Sequence, residues 1–245
     1  MHVRIASTVA GLGAMAVASA AEGIQEQRST FQSGGHAIGI ESFFPTTPGK
    51  KPALLVIHGA GGVDYGNGYI RQLAAAFAAN GMSTHLIHYF DRTDTHYADD
   101  ATIHRNFETW LSVIRDAVDH VEALPTSEPG AVGLFGYSLG GYLAVAQGSR
   151  NPKVGAVVEL AGGIDPTYAA RTERMPPTLI LHGEQDRRVL PARARELEIL
   201  MGKLSTPCEV KIYRGEGHVL SPMAALDALT RGVTFLNRHL ATPKV

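Results

Sequence analysis

The residues best suited to chemistry lie in one stretch, residues 131–146, with the sequence AVGLFGYSLGGYLAVA. It begins with an apolar run of strand length, turns through G-Y-S-L-G-G, and continues with residues typical of a buried helix. A strand, a sharp turn and a helix form the context in which G-x-S-x-G holds a serine nucleophile above a sheet edge. Ser138 is therefore the predicted nucleophile, and Gly136 and Gly140 would let strand and helix approach closely. Glycine-rich turns of this kind also occur in α/β proteins without a catalytic serine.

Two further residues would complete a catalytic set. Asp186 and His218 each follow a predicted apolar strand, as Ser138 does, and the carboxyl ends of parallel strands lie at one edge of a sheet. A serine hydroxyl is a weak nucleophile that needs an adjacent base, and His218 would accept its proton. Asp186 would orient the imidazole and stabilise its charged form. The predicted chemistry is acyl transfer through a covalent acyl-enzyme.

Each member of this set has an alternative interpretation. Asp186 could be a turn residue that caps the following helix, and Glu184 and Asp165 are competing candidates for the acid. His218 could be an ordinary loop histidine before a helix. The occurrence of all three residue types at predicted strand ends favours the catalytic interpretation.

The oxyanion of the tetrahedral intermediate needs two preorganised N–H donors. One should be the backbone N–H of Leu139, and the other should be that of Ala60, in the glycine-rich loop after the predicted strand 53–57. His58 and His182 also stand at strand ends, where local packing or hydrogen bonding is expected. The sequence contains no zinc-protease, P-loop or dinucleotide-binding motif, so neither a metal nor a cofactor is predicted.

The elements that must position these residues alternate along the chain. After a polar linker at 22–28, a hairpin is predicted over 30–44. Apolar strands and amphipathic helices then follow one another, which predicts a mostly parallel sheet with helices on both faces, an α/β fold. The polar segment 89–102 is predicted to be a surface loop that, with segment 165–177, shapes the substrate pockets.

Composition narrows the class of protein. Of 245 residues, 44% are hydrophobic and 18% charged, which fits one globular domain over residues 21–245. The net charge is −1 and no Lys/Arg run is present, so nucleic acid is not an expected partner. Cys208 is the single cysteine, so an intrachain disulfide is impossible. No oligomeric state is predicted.

Residues 1–20 differ from the rest. One arginine precedes a stretch of small, apolar residues that ends in Ala18-Ser19-Ala20, a pattern typical of a secretory signal peptide. Such a signal would place the protein in the periplasm or outside the cell; the alternative is the N-terminus of a cytoplasmic protein. No segment of the sequence is long and apolar enough to predict a membrane span.

Residues 31–240 resemble the dienelactone hydrolase family of α/β-hydrolases. The most specific segments are VGLFGYSLGG at 132–141, LILHGEQDRRV at 179–189 and IYRGEGHVLSP at 212–222. The resemblance implies the α/β-hydrolase fold and cofactor-free hydrolysis of a small-molecule ester or lactone. It also implies Ser138 as nucleophile, Asp186 as acid and His218 as base.

The sequence departs from this family at two positions. The name-giving enzymes have cysteine as nucleophile, where this chain has Ser138, and glutamate in the first oxyanion loop, where it has Gly59. A serine esterase for small to medium acyl esters is therefore expected rather than a dienelactone hydrolase in the strict sense. Arg92 is close to the sequence position at which the family has a substrate-binding arginine. Arg92 and Tyr137 are therefore candidate substrate contacts. Acyl transfer, thioester cleavage, peptide cleavage and a non-catalytic binding role all remain open.

Overall fold

The computed structural model describes residues 23–66, 68–130 and 132–240. It contains an eight-stranded sheet with the order β1-β2-β4-β3-β5-β6-β7-β8. The strands are β1 Ile24–Ser33, β2 His36–Pro45, β3 Ala53–Ile57, β4 Ser83–Ile87, β5 Val132–Tyr137, β6 Val154–Leu160, β7 Thr178–Gly183 and β8 Cys208–Tyr213. β2 pairs antiparallel with β1 and β4, and all other neighbours pair parallel. The predicted mostly parallel sheet is confirmed.

Helices cover both faces of this sheet. They are α1 Tyr69–Ala79, a 3₁₀ helix Tyr89–Thr93, α2 Asp100–Glu122, α3 Leu139–Arg150, α4 Pro166–Ala169, α5 Ala192–Lys203 and α6 Pro222–Leu240. Residues of α2, α3 and α5 form one buried cluster, and residues of α1 and α6 form the other. Strand β3 contributes alternate residues to the two clusters, Leu55 to the first and Leu54 to the second. This double burial explains why β3 is a continuous apolar run in the sequence.

The strand order places a crevice beside β5. From β3 the chain moves to β4 on one side and then returns to β5 on the other. Such a reversal separates the loops that leave the carboxyl ends of adjacent strands, and it is where α/β folds usually bind ligands. The loop after β3 and the turn after β5 leave adjacent strands at this reversal, and both carry predicted functional residues.

Two local predictions are wrong. The predicted linker 22–28 belongs largely to β1, where Ile24 pairs with Pro45 and Arg28 with Glu41. Polar residues are tolerated there because β1 is an edge strand with exposed side chains. The segment 89–102 is not wholly a surface loop, because Tyr89 and Phe90 are buried in a 3₁₀ helix.

The predicted signal peptide lies outside the described residues. Within the described ranges, no helix combines the length and apolar character needed to cross a bilayer.

Candidate active site

Ser138 occupies a strained backbone position between β5 and α3. Its φ of 56° and ψ of −118° lie outside the regions that non-glycine residues normally adopt. The turn is held by hydrogen bonds from the Ser138 N–H to the Leu160 carbonyl at 2.9 Å and from the Gly141 N–H to the Ser138 carbonyl at 2.8 Å. The predicted strand, sharp turn and helix are thus present, and the strain raises the hydroxyl above the sheet edge.

Close backbone approach explains the glycines of this turn. A Cβ atom on Gly136 would overlap the carbonyl oxygen of Gly140, and one on Gly140 would overlap the carbonyl oxygen of Ile57. Any side chain at either position would push α3 away from β3 and β5. The G-x-S-x-G spacing is therefore a packing requirement of the turn that carries Ser138.

The structure brings Ser138, His218 and Asp186 into one hydrogen-bonded line. Nε2 of His218 lies 3.0 Å from Oγ of Ser138, and Nδ1 lies 2.7 Å from Oδ2 of Asp186. The Asp186 side chain is fully buried, whereas 21% of the His218 side chain is exposed. Oδ1 of Asp186 accepts hydrogen bonds from the N–H groups of Arg188 at 2.8 Å and Val189 at 2.9 Å. This arrangement can withdraw a proton from the serine hydroxyl and stabilise the resulting imidazolium.

Tyr137 supports the loop that carries His218. Its hydroxyl donates to the His218 carbonyl at 3.2 Å, and the two ring centroids are 5.4 Å apart. Burial raises the pKa of Tyr137, so the phenol keeps its proton and remains a donor. Tyr137 therefore contacts the candidate base, and its contact with substrate stays a prediction.

Both predicted oxyanion donors are free within the described residues. Neither the Leu139 N–H nor the Ala60 N–H hydrogen-bonds to another described group. The carbonyl of Gly59 accepts from Nδ1 of His58 at 2.8 Å and from the Gly62 N–H at 3.1 Å. The Gly59 carbonyl and the Ala60 N–H belong to the same trans peptide group, so they point in opposite directions. Because the carbonyl points toward His58, the Ala60 N–H points away from it.

The same loop lies against Ser138, the candidate nucleophile. A Cβ atom on Gly59 would lie 3.3 Å from Cβ of Ser138, so the backbone approaches the serine closely. The Ala60 carbonyl accepts from the Ala98 N–H at 2.9 Å. The loop is therefore held on both sides, as preorganised oxyanion donors require.

His58 packs locally, as the sequence predicts. Its ring stacks on Tyr89 at 4.1 Å between centroids, and the Tyr89 hydroxyl donates to the His58 carbonyl at 2.9 Å. Burial lowers the pKa of His58 to about 3, so the ring is neutral at physiological pH. The Gly59 carbonyl can only accept, so the single ring hydrogen resides on Nδ1.

The competing acids lie elsewhere. Glu184 accepts from the Gly215 N–H at 3.1 Å, and Asp165 caps α4 through the Thr167 N–H at 2.7 Å. Neither contacts His218 in the described part of the chain. Among the three carboxylates considered from the sequence, Asp186 is the one within hydrogen-bond distance of the histidine.

Arg92 does not join this group. Its guanidinium lies against the β1–β2 turn, with Nη1 3.0 Å from Nδ1 of His36 and close to Gly34. Its contacts in the described structure include none of the three residues of the hydrogen-bonded line. Arg92 follows β4, as the sequence predicts, and its side chain in the 3₁₀ helix is directed toward the β1–β2 hairpin.

Glu159 is a residue near the site that the sequence reasoning missed. It is fully buried on β6, where Oε2 accepts from the Gly162 N–H at 2.7 Å and Oε1 has no partner among the described residues. Burial raises the pKa of Glu159 to about 8. A Cβ atom on Gly141 would lie 3.4 Å from Oε2, so the carboxyl group supports the backbone behind Ser138. The signal in the sequence was a single carboxylate within the apolar strand VGAVVEL.

No cluster of three or more His, Cys, Asp or Glu side chains suited to a metal ion occurs within residues 23–66, 68–130 and 132–240.

Comparison with known proteins identifies relatives and structural neighbours. Acyl-coenzyme A thioesterase 1 of Mus musculus is 26% identical over 146 residues, which are 58% of this chain and 32% of the mouse protein. The chain thus spans about a third of that relative's length. Two solved structures share the fold: a dienelactone hydrolase-like promiscuous phosphotriesterase from metagenomic libraries, and a cold-adapted esterase from an Arctic intertidal metagenomic library.

The structural agreement covers most of the chain. For the phosphotriesterase the TM-score is 0.77 at 15% identity, covering 89% of this chain and 100% of the other. For the esterase the TM-score is 0.71 at 18% identity, covering 90% and 96%. The sequence profile of the dienelactone hydrolase family matches residues 41–224. This α/β-hydrolase chain therefore belongs to the dienelactone hydrolase family.

Proposed function

We propose that this protein is a serine hydrolase that cleaves a carboxylic ester or lactone through an acyl-enzyme on Ser138. The observation that carries the proposal is the continuous line from Oγ of Ser138 through His218 to Asp186, with distances of 3.0 and 2.7 Å. Membership of a hydrolase family and an esterase among the structural neighbours support it.

The reaction follows from this geometry. Oγ of Ser138 attacks the carbonyl carbon of the ester while Nε2 of His218 takes the hydroxyl proton. The carbonyl oxygen becomes an oxyanion, which the N–H groups of Leu139 and Ala60 stabilise. When the intermediate collapses, the bond to the alcohol oxygen breaks and His218 returns the proton to it. Water then attacks the acyl-enzyme by the same steps, which releases the acid and restores Ser138.

Asp186 stabilises the charged intermediate of each step. Its buried carboxylate accepts from Nδ1 of His218, which leaves Nε2 free to face the serine. The two backbone N–H groups on Oδ1 keep the carboxylate oriented.

A thioesterase is the second candidate, because the curated relative in mouse is named an acyl-coenzyme A thioesterase. The same nucleophile, base and oxyanion donors would cleave a thioester, with a thiol leaving instead of an alcohol. The match covers 32% of the mouse protein, so its substrate is not transferred to this chain without a test.

The first experiment compares purified protein with Ser138→Ala. p-Nitrophenyl acetate, butyrate and octanoate report ester cleavage and chain-length preference, and acetyl- and octanoyl-coenzyme A report thioester cleavage. We expect ester hydrolysis that Ser138→Ala abolishes, together with labelling of Ser138 by a fluorophosphonate.

Three outcomes would change the proposal. Faster turnover of the coenzyme A esters than of the p-nitrophenyl esters would favour the thioesterase. Labelling without turnover of either class would indicate a narrower substrate or a different acyl acceptor. Folded protein with neither labelling nor turnover would refute the enzyme and support a non-catalytic binding role.

A further inference from the structure

A second histidine contacts the carboxylate of Asp186. His182 lies in β7, four residues before Asp186, and the side chains of both are fully buried. Nε2 of His182 lies 2.9 Å from the Val189 carbonyl oxygen and 3.3 Å from Oδ2 of Asp186. Because the Val189 carbonyl can only accept, Nε2 of His182 carries a hydrogen. This hydrogen is donated to the Val189 carbonyl, and Oδ2 of Asp186, the oxygen that binds His218, lies beside it within contact distance.

His182 also binds the far end of the loop that follows β7. Val189 donates its N–H to Oδ1 of Asp186 at 2.9 Å, while its carbonyl accepts from His182. Val189 thus ties the imidazole of His182 to the carboxylate of Asp186. The result is a closed ring of contacts in which His182 determines where the loop, and with it Asp186, is held.

The two oxygens of Asp186 are held by different groups. Oδ1 accepts from two backbone N–H groups, whereas Oδ2 faces only the two imidazoles, His218 and His182, among the described residues. His218 is partly exposed and must exchange a proton with substrate, so its contact with Oδ2 changes during the reaction. His182 is buried and takes no part in proton transfer. Its hydrogen bond to Val189 can therefore hold Asp186 in place throughout the reaction.

We propose that His182 is a positioning residue: its Nε2–H group holds the Val189 carbonyl, and Val189 in turn holds Asp186 opposite Nδ1 of His218. The kinetic part of this inference rests on the proposed function, but the geometric part does not. The torsion that orients a carboxylate plane is broad and roughly two-fold, so its orientation depends on the position of the backbone donors in the loop that Val189 belongs to. Nothing in the G-x-S-x-G motif or in the three residues of the predicted set requires a histidine at this position.

Three variants separate positioning from packing. His182→Phe keeps a ring of similar size and removes the donor, whereas His182→Gln restores an N–H donor near the position of Nε2. His85→Phe is the matched control: His85 is also fully buried on a strand, and it hydrogen-bonds to Ser42 and Ser83 and not to the predicted catalytic residues.

The kinetic arm uses p-nitrophenyl butyrate. We expect His182→Phe to lower kcat by about 10- to 100-fold with little change in KM, since small misplacements of catalytic groups have effects of this order. His182→Gln should recover most of kcat, and His85→Phe should lower the melting temperature without lowering kcat. Unchanged kcat in His182→Phe, or a Gln variant as slow as the Phe variant, would overturn the inference.

The second arm does not depend on turnover. In protein with ¹⁵N-labelled histidine, the Nδ1–H of His218 should give a protected proton resonance, assigned by its absence in His218→Gln. We expect this resonance in wild type and His182→Gln, and its loss through exchange with water in His182→Phe. Its persistence in His182→Phe would refute the positioning role. Folded wild-type protein that shows neither Ser138-dependent turnover nor fluorophosphonate labelling would instead refute the proposed function.

Discussion

The hydroxyl of Tyr137 donates to the backbone carbonyl of His218 at 3.2 Å, across 81 residues of chain. Tyr137 immediately precedes Ser138, so the turn that carries the proposed nucleophile also anchors the loop that carries the proposed base. This contact couples the two loops, since movement of either would change the distance between Oγ of Ser138 and Nε2 of His218.

Tyr137→Phe tests this coupling. The variant loses one hydrogen bond of about 0.5–1.5 kcal/mol but keeps the ring that packs on His218. We expect kcat to fall several-fold with KM nearly unchanged, measured by steady-state hydrolysis of p-nitrophenyl esters. A change confined to KM would instead support the sequence-based hypothesis that Tyr137 contacts substrate.

Asp186→Asn tests the choice of acid. An amide cannot stabilise the imidazolium and favours the wrong tautomer of His218, so kcat should fall by about 10⁴-fold, as in other serine triads. Glu184→Gln and Asp165→Asn are the matched controls, because both carboxylates bond to backbone N–H groups away from His218. A comparable loss in either control, with Asp186→Asn active, would identify another acid.

Gly140→Ala tests the close approach behind the nucleophile. The added methyl group would overlap the Ile57 carbonyl, so we expect destabilisation by about 1–3 kcal/mol or more and loss of activity. Gly202→Ala, on α5, is the control because an added Cβ would meet no atom within 4 Å. Alanine loses less backbone entropy on folding than glycine does, so Gly202→Ala should stabilise the protein by roughly 0.5–1 kcal/mol. Urea denaturation measures both, and equal effects would contradict the packing explanation.

Glu159→Gln tests the buried carboxyl group behind the turn. Its pKa is raised from 4.5 to about 8 in the folded state, so the folded protein binds more protons than the unfolded chain between these values. The contribution of Glu159 to stability is therefore complete below the unfolded pKa and is lost progressively as pH rises toward the folded pKa. Glutamine stays neutral and still accepts from Gly162.

The expected result is a gain that depends on pH. Relative to wild type, Glu159→Gln should be more stable at about pH 9 than at about pH 5, measured as the free energy of unfolding in urea. Glu26→Gln, at an exposed position on β1, should show no such difference. If Glu26→Gln showed the same pH-dependent gain in the free energy of unfolding as Glu159→Gln, the gain could not be due to the burial of Glu159.

The sequence alone identified the local features of this protein. The turn at Ser138 was predictable because it depends on glycines and apolar residues that lie within a few positions of one another in the sequence. The parallel sheet was predictable because strands buried on both faces, such as β3, are apolar throughout. The match of residues 41–224 to the dienelactone hydrolase family agrees with the resemblance found in the motifs.

The tertiary structure decided which distant residues meet. It brought Asp186, and neither Glu184 nor Asp165, to His218, and it turned Arg92 toward the β1–β2 hairpin. It also made a strand of the polar residues after Ile24, through backbone pairing with β2 that their side chains do not encode. These outcomes depend on side-chain direction and on contacts between elements far apart in sequence. Local propensity and spacing describe only residues that are close in sequence, whereas the contacts at this site join residues that are far apart in sequence and meet only when the chain folds.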